Sequence, residues 1–160
     1  MKCKALIISI KGTKLTKKEK LLLSKEKPWG IILFSRNLKS FEQIKKLTSE
    51  VKKLTKNKKF PILIDEEGAI VTRLNNIINH NISSNFFGNL YLYDKTLCFD
   101  VLKLYLNSLS QILNNLGINI NSIPVLDVLR NNTSKVIGNR SFSKDKKIVK
   151  ELGKFTIKQL

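Results

Sequence analysis

Four short apolar runs punctuate this chain: "KALIISI" at 4–10, "GIILFS" at 30–35, "FPILIDE" at 60–66 and "INSIPVLDV" at 120–128. Each is rich in β-branched residues and bounded by Gly, Pro, Asn or Lys, the signature of a strand. None shows a clean polar face. Strands of that kind are covered on both sides, as happens in parallel sheets whose crossovers are helices. Pro124 counts mildly against a central position for the fourth run, although a proline near a strand start is tolerated.

Helical patterns fill the gaps. Thr16 stands three residues before Glu19, the spacing of a capping box, and "KKEKLLLSKEK" continues until Pro28 and Gly30 stop it. Ser40 and Gln43 open a second helix whose apolar positions, Phe41, Ile44, Leu47, Val51 and Leu54, form one stripe. Residues 75–95 read as a polar, Asn-rich connection, 97–116 as a long helix ended by Gly117, and the last helix begins near Asp145.

Strand and helix therefore alternate four times, which predicts an α/β fold with parallel strands, as a doubly wound sheet or a (β/α) barrel. The final "FTIKQL" carries no closing Gly, Asn or Pro. Four strand–helix units are half of the eight that close a TIM-type barrel, a fold of about 250 residues. Residues 1–160 are thus expected to form one partial domain, the N-terminal half of such a barrel. Alone it would leave open sheet edges, so aggregation or association with a missing C-terminal half is expected.

The net charge of +18 comes from 26 lysines and four arginines against 12 acids. Sites that read nucleic acid lean on arginine forks and aromatic stacking, whereas this surplus is lysine spread along helices, so no nucleic-acid partner is expected. A basic nucleic-acid-binding protein stays as the weaker alternative. The longest N-terminal apolar run, "ALIISI", is too short for a signal peptide or membrane span, and a cytoplasmic setting without a membrane partner follows as the default. Cys3 and Cys98 lie far apart and His80 stands alone, so neither a metal site nor a cofactor is expected. "KGTK" and "KPWG" match no phosphate-binding loop, and no nucleophile elbow is present.

What remains is polar residues at strand ends. Asp65 closes the third run and Asp127 the fourth, and the carboxyl ends of parallel strands are where sites are built. Strand alternation sends Asp65 and Glu67 to one side and Glu66 to the other, so the three acids cannot all serve one ligand. Asp65 is either a partner of Arg73 or a group that accepts hydrogen bonds from sugar hydroxyls, with an arginine fork donating to the same sugar. The chain spends its arginines shortly after strands, at Arg36, Arg73, Arg130 and Arg140, and for Arg36 and Arg130 chance placement suffices.

In order and spacing, "GIILFSRN", "PILIDEEGAIVTRL" and "PVLDV" with "VIGNRSFSKD" resemble segments of the bacterial β-N-acetylhexosaminidases of glycoside hydrolase family 3. Among them, "PILIDEEGAIVTRL" is similar to that family's Asp-Gln-Glu-Gly-Gly-Arg-Val-x-Arg stretch, except that Ala69 and Ile70 stand where it has Gly and Arg. In the last segment Asn139 replaces an acid. The resemblance implies a retaining exo-glycosidase that releases terminal β-N-acetylglucosamine from cell-wall muropeptides, as in peptidoglycan recycling. It implies that Asp65, Arg73 and Arg140 bind an N-acetylglucosamine-containing saccharide, with Asp127 organising its loop and Glu66 and Glu67 structural. The family's histidine-bearing acid/base loop and nucleophilic aspartate would lie downstream of residue 160. No catalytic residue is therefore expected in this chain, which would be inactive alone or persist as a non-catalytic sugar-binding remnant.

Overall fold

In the computed structural model, which describes residues 3–160, the four apolar runs supply one parallel sheet. Its strands are β1 (Lys4–Ser9), β2 (Pro28–Leu33), β3 (Ile62–Ile64) and β4 (Ile120–Asn121), and they lie side by side in chain order. Ile31 pairs with Ile62, Leu33 with Ile64, and Ile64 with Asn121. The helices are α1 (Lys17–Glu26), α2 (Phe41–Leu54), α3 (Ser84–Tyr93), α4 (Lys95–Asn115) and α5 (Lys146–Gln159). A doubly wound sheet reverses its strand order at a switch point, whereas here every new strand is added on the same side. That is the winding of a (β/α) barrel.

The chain divides into two compact units. The first runs through Asp65 and adds Arg73–Asn79 and Ile112–Asn121, so it holds the whole sheet with α1 and α2. Ile31, Leu33, Ile62 and Ile64 of the sheet are fully buried, as are Ile44 and Val51 on the apolar stripe of α2. Each such side chain contributes about 1.5–3 kcal/mol by leaving water. Both predicted starts are built as expected: Thr16 and Glu19 form a reciprocal capping box on α1, and the Ser40 hydroxyl accepts from the Gln43 amide on α2. Asn119 fixes the start of β3, accepting from the Ile62 amide at 2.8 Å and donating to the Phe60 carbonyl at 3.2 Å.

The second unit comprises Glu66–Thr72, His80–Gln111 and Ser122–Leu160. Its core joins Phe87 of α3, Cys98, Leu102 and Leu106 of α4, Phe142, and Ile148, Val149 and Leu152 of α5. Gly88 lets α3 meet the chain at Phe142, since a Cβ there would lie 1.7 Å from the Phe142 carbonyl oxygen.

Three expectations are corrected. Residues 75–95 are not all connection: Ser83 caps α3, and Phe86, Phe87, Leu90 and Tyr91 recur at helical spacing behind it. The fourth strand is two residues long rather than nine; it stops at Asn121, Pro124 just beyond has no N–H with which to resume a ladder, and Asp127 lies six residues past its end. β1 is not buried on both sides. It is the first strand of the sheet with only β2 beside it, and Leu6 and Ile7 are about half exposed.

Candidate functional site

Strand β3 ends at Ile64, and Asp65 is the first residue past its carboxyl end. Its carboxylate faces Arg73, whose Nη2 donates to Oδ2 at 3.4 Å; both side chains are about one quarter exposed. The Arg73 guanidinium also lies over the Phe34 ring, 5.8 Å from the centroid, and Arg36 covers the same ring at 4.7 Å. Arg36 donates from Nε to the Ile10 carbonyl, where the fully buried Asn37 amide also donates. Arg36 is therefore a backbone anchor at the end of β1, a role that only the fold reveals.

A tight turn separates the acids from Arg73. Glu67 N–H donates to the Val71 carbonyl at 2.9 Å and Val71 N–H to the Gly68 carbonyl, with Ala69 and Ile70 at the tip. Gly68 has φ +91°, and a Cβ on it would meet the Ile82 carbonyl oxygen at 2.2 Å, so only glycine fits. Ala69 also adopts a left-handed conformation, φ +49°, which costs an L-residue about 1–2 kcal/mol.

The three adjacent acids take three different partners. Glu66 is fully buried, and its Oε1 lies 2.9 Å from Nε2 of His80, which is 14% exposed. Tyr105 sits beside this pair, its ring 6.0 Å from that of His80. Burial, with the charge of Glu66 as a second cause, pushes the Tyr105 phenol up to about 12. Glu67 instead accepts a fork from Arg140, 2.7 Å from Nε to Oε2 and 2.9 Å from Nη2 to Oε1.

Of the sequence-derived candidates, Asp65 and Arg73 are thus in direct contact, and Arg140 is held by Glu67. Asp127 enters through its backbone, its carbonyl accepting from the Ser141 hydroxyl at 2.5 Å. His80, read from sequence as an isolated loop residue, is the partner of Glu66, and Tyr105 was not a candidate. Neither carries a local signal, because His80 is 14 residues from Glu66 and Tyr105 lies in the middle of α4. Among the described residues no group of three or more His, Cys, Asp or Glu is placed to hold a metal ion.

The model of the glycosyl hydrolase family 3 N terminal domain matches residues 2–160. The chain is 33% identical over 144 residues to beta-hexosaminidase A of Pseudoalteromonas piscicida, a match covering 86% of this chain and 23% of that protein. It is 28% identical over 146 residues to the beta-hexosaminidase of Thioalkalivibrio sulfidiphilus, covering 91% of this chain and 42% of that one. NagZ from Neisseria gonorrhoeae, solved in complex with N-trifluoroacetyl-D-glucosamine, aligns with a TM-score of 0.90 at 31% identity over 99% of this chain and 45% of its own. A family 3 beta-N-acetylglucosaminidase from Paenibacillus aligns with a TM-score of 0.78 at 28% identity, covering 97% of this chain and 29% of that chain. The chain spans less than half the length of each of these relatives.

Proposed function

The chain belongs to glycosyl hydrolase family 3, and on that footing we propose that it provides the sugar-holding part of a β-N-acetylhexosaminidase acting on terminal β-linked N-acetylglucosamine of cell-wall fragments. The observation that carries this reading is the Asp65–Arg73 pair at the carboxyl end of β3, in a chain that aligns over 99% of its length with a relative solved in complex with N-trifluoroacetyl-D-glucosamine. A tight charge-assisted pair closes to about 2.7–2.9 Å. At 3.4 Å this one is longer, and in the proposal a sugar hydroxyl donates to Asp65 while a second sugar oxygen accepts from Arg73. Arg140, oriented by its fork to Glu67, is the third sugar-binding residue of the proposal, and Asp127 shapes its loop through the bond to Ser141.

Hydrolysis with retention needs a nucleophile and a proton donor flanking the glycosidic bond. Neither role is assigned to residues 1–160. The one histidine, His80, is held against a buried carboxylate, and the three adjacent acids each have a partner. In this proposal the 160-residue chain binds the sugar without turning it over, and bond cleavage needs groups supplied from outside these residues. A cytoplasmic location is part of the proposal. Among the described residues no helix is long and apolar enough to cross a membrane.

Saturation-transfer NMR with N-acetylglucosamine tests the reading. Transfer to the acetamido and ring protons is expected, and its loss in Asp65→Ala and Arg73→Ala variants that keep a native circular dichroism spectrum. The reading is overturned if the sugar receives no transfer, or if transfer is the same in both variants.

A further inference from the structure

We propose that a cavity at the amino-terminal ends of β2 and β3, opposite along β3 to Asp65, binds a small organic carboxylate with an aromatic or alkyl body. The cavity measures about 660 Å³, within the roughly 300–1,000 Å³ that small-molecule sites occupy. Its apolar lining includes Leu23 of α1, Trp29 of β2, and Phe60 and Pro61 ahead of β3. Trp29 is the only tryptophan of the chain and is 42% exposed. The charged groups of the lining are all positive, Lys27, Lys56 and Lys59, with no carboxylate among them.

Backbone conformation separates two of these lysines from the many that simply solvate this surface. Lys27 and Lys56 follow the last turns of α1 and α2 in left-handed conformations, φ +48° and +51°. Glycine is the usual occupant of that position, and lysine holds it against a steric cost. At the end of α2 the ammonium is not needed as a cap. Thr55 N–H takes the Val51 carbonyl, Asn57 N–H that of Lys52 and Lys56 N–H that of Lys53. None of the three lysines forms an ion pair among the described residues. A cavity with apolar walls whose charged groups are all ammonium recognises an anion through charge and its body through burial.

Trp29 makes the test direct, because quenching of its fluorescence reports on this cavity. The probes are 4-phenylbutyrate and its uncharged amide, which share a body and differ in charge. Saturable quenching by the acid is expected, about tenfold tighter than by the amide, a difference that falls with added salt. The double variant Lys56→Glu/Lys59→Glu should erase the preference for the acid. Lys56→Gly should weaken binding severalfold while raising Tm, since glycine relieves the left-handed residue, and this separates ligand loss from misfolding. Equal responses to acid and amide, quenching that does not saturate, or unchanged affinity in the double variant would overturn the proposal. The result is independent of the sugar reading, which concerns residues at the other end of β3.

Discussion

Arg140 grips Glu67 with two parallel hydrogen bonds, 2.7 and 2.9 Å, across 73 residues of sequence. Glu67 is 8% exposed and Arg140 21%, so the pair is little screened. Arg140→Lys keeps the charge but cannot reproduce the fork, and a loss of about 1–2 kcal/mol is expected from urea unfolding. Glu67→Gln should cost a similar amount. A double-mutant cycle should then show the two losses to be strongly non-additive.

Glu66 presents the sharper case because it is fully buried with His80 against it. His80→Ala removes a hydrogen bond to a buried carboxylate and should cost about 1.5–3 kcal/mol. Glu66→Gln keeps a hydrogen-bonding side chain of the same shape and should cost clearly less. Chemical denaturation of the two variants checks the order, and a reversed order would refute the pairing.

Gly88 and Gly12 form a matched test of packing. An alanine methyl at 88 would lie 1.7 Å from the Phe142 carbonyl oxygen, whereas nothing lies within 4 Å of a Cβ at 12. Gly88→Ala should destabilise by more than about 3 kcal/mol or prevent folding, since backbone must move. Gly12→Ala should leave Tm nearly unchanged.

Tyr105 predicts an alkaline limit. Its phenol is pushed from the usual 10 up to about 12, chiefly by burial and then by the charge of Glu66. Between those values the unfolded chain has released the proton that the folded chain still holds. Stability should therefore be unaffected by this group below pH of about 10 and should fall as pH rises toward about 12, by roughly 2 kcal/mol. Unfolding curves of the wild type and Tyr105→Phe should diverge only in that window.

The two cysteines should behave as opposites. Cys98 is buried, its thiol donates to the Phe87 carbonyl at 3.2 Å, and burial pushes it up to about 11. Cys3 is exposed. A thiol reagent at neutral pH should modify one cysteine rapidly, with the other reacting only on unfolding. Fast modification of both would contradict the packing of α4.

Much of the fold was legible because its signals are local. The Thr16–Glu19 capping box and the Ser40 cap act within one turn of chain, the apolar stripe of α2 within one helix, and all are built as spacing predicts; α5 begins next to Asp145 as expected. The pairing of Asp65 with Arg73 was also within reach, eight residues apart around one turn. Helix α3 escaped because asparagines surround it, although Ser83 and the following aromatic residues carried its signal.

By itself the sequence determined a parallel strand–helix alternation, the position of Asp65 at a strand end and the family to which the chain belongs. Only the tertiary structure decided that successive strands add without reversal, that β4 stops after Asn121, and that Leu6 and Ile7 of β1 face solvent. It alone showed that Glu66 meets His80 and that Glu67 meets Arg140, while Asp65 faces Arg73. The reason is physical. Propensity and capping depend on neighbours in the chain, whereas a hydrogen-bond fork spanning 73 residues or the burial of a carboxylate depends on which distant segments the packed backbone brings within 3 Å.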